Sequence, residues 1–138
     1  MLVKKGSPIK SLDDIKDGTK VLTVVGSTPA KTIKEKKPKA DVRELPNYQD
    51  AFTALKAGQG DVLTTDDIIL YGMVKQDPNF EVVGGKFTEE PYGMAIMKGD
   101  SGFVKYVNDV LAKMKSSGDY DKLYKKWLGE QPKKINPY

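Results

Sequence analysis

The sequence predicts an α/β fold: a doubly wound, mainly parallel sheet followed by two C-terminal helices. Three observations carry this. Short apolar runs of strand character alternate with helix-forming segments as far as residue 83. Two of those runs end in turns rich in glycine, hydroxyls or carboxylates and pass straight into a helix. Beyond residue 100 the strand runs stop, and apolar residues recur at helical spacing.

Leu2-Val3 reads as a short extended start, followed by Lys4-Lys5-Gly6-Ser7-Pro8. Ser11 is a good N-cap for a short helix over Leu12 to Lys16, which Gly18 ends. Lys20 to Val25 is a buried strand. Ser27 or Thr28 caps the helix after it, with Pro29 where a first-turn proline is tolerated. That helix runs from Ala30 to about Lys36 and stops before Pro38.

Asp41 to Leu45 is the next strand. Asn47 caps a helix on which Tyr48, Phe52 and Leu55 share a face, and Gly58 and Gly60 end it. Asp61 to Thr65 is a further strand. Asp66 and Asp67 open a helix over Ile68 to Val74, where acidic residues complement the helix dipole. Phe80 to Val83 is the last strand of the alternation, closed by Gly84-Gly85, and Pro91 to Met97 reads as an extended apolar segment.

Asp100 or Ser101 then caps a longer helix with Phe103, Val107, Val110, Leu111 and Met114 in one stripe. Ser117-Gly118-Asp119 breaks it. A shorter helix from Tyr120 to Leu128 carries Leu123, Tyr124 and Trp127, and a polar tail follows from Gly129.

The composition, 38% hydrophobic and 30% charged over 138 residues, is that of one globular domain with its own core. The net charge of +4 is spread, with local lysine runs at Lys34 to Lys37, Lys125-Lys126 and Lys133-Lys134. These read as solvated faces and a tail; no zinc-finger spacing or RNA-binding motif accompanies them, so no nucleic-acid partner is expected. With no cysteine and no histidine, a disulfide framework, a thiolate zinc site, a Ser-His-Asp triad and histidine metal ligation all drop out. No metal or cofactor is expected. No run reaches the length of a transmembrane helix. Met1-Leu2-Val3-Lys4-Lys5 lacks the apolar core of a signal peptide, so the leader of an exported parent is expected to lie outside this sequence.

The chemistry concentrates in two loops. Gly26-Ser27-Thr28 offers backbone N–H groups and hydroxyls at a helix N-terminus, which suit an anion. Thr64-Thr65-Asp66-Asp67 offers carboxylates, which suit a cation. Turns at the carboxyl ends of neighbouring parallel strands are where open α/β sheets place ligands. A small molecule carrying both charges, an amino acid, fits that pair. The plainer reading is that Ser27 or Thr28 is a helix cap and that Asp66 or Asp67 is a first-turn acid.

Several further segments fall in a known order: Leu2-Val3-Lys4-Lys5-Gly6-Ser7, Ser11-Leu12-Asp13-Asp14-Ile15, Gly26-Ser27-Thr28, Ala51-Phe52 with Ala54-Leu55, and Gly60-Asp61-Val62 with Asp66. Tyr92-Gly93, then Tyr120-Asp121 with Lys126-Trp127-Leu128-Gly129, complete it. From Leu2 to Gly129 the chain resembles the polar amino-acid solute-binding proteins of bacterial ABC importers, the family 3 periplasmic binding proteins. That resemblance implies a type II periplasmic-binding-protein lobe. Family members close a ligand between two lobes joined by two crossover strands. Here residues 1–96 resemble lobe two, with crossover segments at about 1–4 and 91–96. Residues 97–128 resemble the helices that return to lobe one, and 129–138 form a tail. The bulk of lobe one has no counterpart, so a truncated or engineered fragment, or a natural half-protein, is expected.

The resemblance assigns ligand contacts to Gly26, Ser27, Thr28, Thr65 and Asp66. Asp66 would accept from the ligand α-ammonium, Thr65 sits where side-chain contacts vary, and Tyr92-Gly93 would be the hinge. Val24 stands where some relatives place a lysine, and Asp66-Asp67 leans toward acidic-amino-acid receptors. The family's arginine clamp and aromatic shelf belong to lobe one; Arg43, beside the second strand, is not given that role. The parent would be a periplasmic or membrane-anchored extracellular receptor for glutamate, aspartate or glutamine, delivering to an ABC permease, and no enzyme. A single lobe is expected to bind weakly and to seek lobe one or a second copy of itself. The alternatives are an enzyme similar to cyclohexadienyl dehydratases and a self-associating half-protein that binds nothing.

Overall fold

The computed structural model describes residues 1–88 and 92–129, and the chain divides into two compact units, Met1–Glu90 and Pro91–Tyr138. The first unit holds strands β1 (Leu2–Lys4), β2 (Lys20–Val24), β3 (Asp41–Leu45), β4 (Val62–Leu63) and β5 (Phe80–Val82). Its helices are α1 (Thr28–Lys36), α2 (Tyr48–Lys56) and α3 (Asp67–Gln76). The strands form one sheet in the order β3-β2-β4-β1-β5. β2 runs parallel to both β3 and β4, whereas β1 is antiparallel to β4 and β5. Four strands therefore point one way, and the short N-terminal strand is threaded against them, between β4 and β5.

The alternation of side chains along each strand builds two cores. Leu2, Leu22 and Leu63 face one way and are buried with Phe52 and Leu55 of α2 and Leu70 and Met73 of α3. Their neighbours Val3, Val21 and Val62 face the other way and are buried with Ile33 of α1, Ile9 and Ile15. Period-two placement of aliphatics on both faces is what a sheet covered by helices on each side requires. Phe52 meets Phe80 edge to face, ring centroids 5.3 Å apart, which ties α2 to the far edge strand.

Four elements are shorter than the sequence predicts. The strand expected over Lys20 to Val25 ends at Val24, and Val25 is exposed instead of buried. The helix expected over Leu12 to Lys16 is one 3-10 turn, Leu12–Asp14, because Ile15 turns to an extended conformation and sinks into the core at 3% exposure. The strand expected from Asp61 to Thr65 is only Val62–Leu63. Ladder bonds reach just beyond it, from Asp61 N–H to Lys20 and from Thr64 N–H to Leu22, before the chain turns away. The last strand ends at Val82, although the Val83 N–H still donates to the Met1 carbonyl at 2.8 Å. The strand over Asp41 to Leu45 and the Asn47 cap stand where the sequence places them.

The second unit contains α4 (Ser101–Ser117) and α5 (Asp119–Leu128). Asp100 caps α4 by accepting from the Phe103 N–H at 2.9 Å. Gly118, in the left-handed conformation at φ 78°, separates the two helices. Val107, Leu111 and Met114 of the expected stripe are half-buried, while Phe103 and Val110 are exposed. Residues 92–97 form neither strand nor helix. Pro91, first residue of the expected second crossover, and the tail beyond Gly129 lie outside the described residues. No helix among the described residues is long and apolar enough to cross a membrane.

Candidate functional site

The parallel pairing of β2 with β4 sets Val21 against Val62 and Leu22 against Leu63. The loops that follow the two strands, residues 25–27 and 64–66, therefore leave the same edge of the sheet from adjacent strands. α1 starts from the first loop and α3 from the second. Gly26, Ser27 and Thr28 are thereby placed at the same edge as Thr65 and Asp66.

In the first loop Gly26 adopts φ +70°, a conformation that favours glycine, and a Cβ there would meet nothing within 4 Å. The requirement is one of backbone shape, not space. Ser27 is the N-cap. Its hydroxyl donates to the Val24 carbonyl at 2.7 Å and accepts from the Ala30 N–H at 3.3 Å. Beneath it lies Thr23, fully buried, with its hydroxyl 3.4 Å from that of Ser27. Thr28 is exposed, and neither its hydroxyl nor its N–H has a hydrogen-bond partner among the described residues. The structure thus separates the two hydroxyls that the sequence left interchangeable: Ser27 holds the turn, and Thr28 faces outward at the first helical position.

In the second loop Thr64 is buried, at 1% exposure. The Thr65 hydroxyl is buried and has no hydrogen-bond partner among the described residues. A buried hydroxyl left in that condition costs free energy that an incoming polar group can recover. Asp66 is the N-cap residue of α3, yet its side chain makes no capping bond to that helix. Asp67, one residue on, accepts from the Ile68 N–H at 2.9 Å and pairs with Lys86 at 3.2 Å. Val25 and Ile68 leave exposed apolar surface on either loop, at 62% and 44%.

Arg43 is turned to other work, with its guanidinium 2.7 Å from Asp41 and donating to the Gln59 carbonyl. Tyr92 and Gly93 lie in the second unit. Gly93 has no positive φ, and a Cβ on it would meet nothing within 4 Å, so neither backbone shape nor space demands glycine there. Among the described residues no three His, Cys, Asp or Glu side chains converge as a metal ion would need.

Two participants were not singled out from the sequence. Thr23 had a signal, being the one polar residue in the interior of an aliphatic strand. Lys86 had none, because its approach to Asp67 depends on where β5 delivers the chain.

The fold is a mainly parallel α/β sheet, and in such folds ligands are placed at the carboxyl ends of the strands. The family model for bacterial extracellular solute-binding proteins, family 3, matches residues 1–130, and the chain belongs to that family. It is 55% identical over 132 residues to an ABC transporter glutamine-binding protein of Bacillus subtilis, covering 96% of this chain and 48% of that protein. A solved ancestral arginine-binding protein bound to glutamine is 42% identical with a TM-score of 0.74, covering 94% of this chain and 58% of that one. An ancestral amino-acid-binding protein described as a precursor of cyclohexadienyl dehydratase is 39% identical with a TM-score of 0.74, covering 92% of this chain and 56% of that one. The chain spans about half the length of the curated relatives it matches.

Proposed function

We propose that this chain is the second lobe, with the C-terminal helices, of an extracytoplasmic receptor that delivers a polar amino acid to an ABC importer. Glutamine is the first candidate, on the strength of the 55% identity to a glutamine-binding protein. The observation that carries the reading is the pairing of the two loops on adjacent parallel strands. One presents the N–H and hydroxyl of Thr28 at a helix N-terminus; the other presents the Thr65 hydroxyl and the Asp66 carboxylate. The ligand carboxylate takes the first loop, where charge-assisted bonds and the helix dipole favour it. The ligand α-ammonium takes Asp66, and Thr65 meets the side chain. Gly26 shapes the first loop and Ser27 holds it.

One lobe covers one side of a ligand, and affinity in a two-lobed receptor comes from closure. This chain alone therefore binds weakly. Tyr92 and Gly93 serve as the hinge segment of the intact receptor, and its permease is the downstream partner. The exposed face of α4 takes lobe one in the intact receptor and a second copy in preparations of this chain. The protein acts as a receptor and not as an enzyme. The similarity to a dehydratase precursor favours an enzymatic second reading, but proton transfer would have to rest on carboxylates alone, with Asp67 already paired to Lys86.

The test is an amide NMR titration of the refolded, ligand-free chain with glutamine to tens of millimolar. Saturable shifts centred on Gly26, Thr28, Thr65 and Asp66 support the proposal. Unmoved spectra, or shifts confined to other residues, reject it.

A further inference from the structure

β2 buries one hydroxyl. Val21 packs beneath α1 with Ile33, and Thr23, two residues on, continues that face of the strand and is fully buried. A valine at position 23 would extend the same apolar surface without carrying a polar group into it. Among the described residues the Thr23 hydroxyl has one hydrogen-bond partner, the Ser27 hydroxyl at 3.4 Å. The direction of that bond follows from counting protons, since a hydroxyl has one proton and two lone pairs. Ser27 gives its proton to the Val24 carbonyl at 2.7 Å and accepts the Ala30 N–H on one lone pair. A lone pair is what it has left for Thr23, so Thr23 donates and Ser27 accepts. The result is a relay from the buried strand into the loop: Thr23 to Ser27, and Ser27 to the Val24 carbonyl. The same carbonyl takes the Ser27 N–H at 3.2 Å, which closes the turn in which Gly26 adopts its φ of +70°.

We propose that Thr23 is a positioning residue for the ligand: through Ser27 it holds the Gly26-Ser27-Thr28 loop in the shape that receives the ligand carboxylate. The inference rests on reading that loop as an amino-acid site, and it adds a residue that the ligand does not touch. With the Thr23 hydroxyl removed, the Ser27 oxygen is held by two bonds instead of three. Its grip on the Ala30 N–H loosens, and Thr28 beside it loses orientation. The loss falls on the loop more than on the fold, because Thr23→Val keeps the branched shape and removes a buried polar group.

The experiment compares the full chain with Thr23→Val, Thr23→Ser, Ser27→Ala and the double Thr23→Val/Ser27→Ala. Three quantities are read: the urea midpoint, amide hydrogen exchange at Ala30 relative to Ile33 in the same helix, and glutamine affinity from the amide titration. Thr23→Val should keep the parental midpoint or raise it. It should nevertheless speed Ala30 exchange about threefold to tenfold and weaken glutamine binding by a similar factor. Thr23→Ser keeps the hydroxyl and loses a buried methyl. Its midpoint should fall, while Ala30 exchange and affinity stay within about twofold of the parent. In the Ser27→Ala background the relay is already cut, so Thr23→Val should weaken binding no further. A purely structural threonine gives the opposite order, with affinity following the midpoint and Thr23→Ser the weaker binder, and that order overturns the inference alone. Parental Ala30 exchange in Thr23→Val overturns it too, as does an equal loss of affinity with and without Ser27. If glutamine moves no loop residue in any of the proteins, the receptor reading fails and the inference falls with it.

Discussion

Leu22 on β2 lies directly opposite Leu63 on β4 in the parallel register, and this pairing is what brings the two loops to one edge. Both leucines are at most 1% exposed. Just before β4, Gly60 makes room for them: a Cβ at that position would fall 2.4 Å from Leu22 Cγ and 2.7 Å from its Cδ1. The side chain it would strike is locked in the core, not the loose end of a surface residue. Gly60→Ala should therefore destabilise the first unit by about 1–3 kcal/mol, the usual range for an overfilled core. The check is the urea midpoint. An unshifted midpoint would show that Leu22 yields at no cost and that the strand spacing does not depend on Gly60.

Ser27 and Thr28 are adjacent hydroxyls with different work, and substitution should separate them. Ser27→Ala removes the cap on the Ala30 N–H and the donor to the Val24 carbonyl. It should cost about 1 kcal/mol of stability. Thr28→Val removes an exposed hydroxyl that holds nothing inside the described chain, so stability should change by less than about 0.5 kcal/mol. Any glutamine-induced shift should instead shrink in Thr28→Val. Paired denaturation and titration on the two variants decide this; a Thr28→Val protein with parental binding would remove Thr28 from the proposed site.

Much of this fold was legible in the sequence because local chemistry and tertiary placement agree. The Val21-Leu22 and Val62-Leu63 pairs supply one residue to each face of the sheet, and each is followed by turn residues and a helix start. The Asn47 cap was legible because Asn at that position accepts from the Asp50 N–H, a bond three residues away. What could not be read depends on partners distant in sequence. Nothing near Leu2 says that β1 runs antiparallel inside the sheet. Nothing near Ile15 says that core burial will stop its helix after one turn. At the site, the loops were visible as Gly26-Ser27-Thr28 and Thr65-Asp66. That Ser27 is tied to the Val24 carbonyl and Asp67 to Lys86 could not be read there, because both depend on where the folded chain brings those partners.

Asp14 makes a prediction about acid. Its carboxylate is held below the usual range by the Lys10 N–H at 2.9 Å, then by the Ser11 hydroxyl and N–H. A carboxylate whose folded pKa is depressed gives stability that is present above its unfolded value, near 3.8, and is lost as pH falls through the lower folded value. Asp14→Asn should therefore be less stable than the parent chain at pH 6, with the gap closing as pH drops below about 4. Denaturation of both proteins from pH 6 to pH 2.5 measures it. A gap that stays constant over that range would mean that the three donors do not favour the charged form.

The second unit predicts association. Phe103 and Tyr106 of α4 are 50% and 63% exposed, and their rings lie nearly parallel with centroids 6.2 Å apart. Val104 beside them and Leu123 on α5 are also exposed, at 41% and 45%. No residue of α4 or α5 is buried, although 17 and 10 residues of helix lie there. An amphipathic helix gains most of its stability from packing its apolar face, so a face this bare is expected to take another chain. Light scattering over a concentration series should give a mass above 15.3 kDa that rises with concentration. Phe103→Ser/Tyr106→Ser should bring it back toward 15.3 kDa. Because neither ring is buried, that variant should keep its helical circular dichroism. A parent chain that stays at a single mass of 15.3 kDa throughout would show that this face needs no second copy.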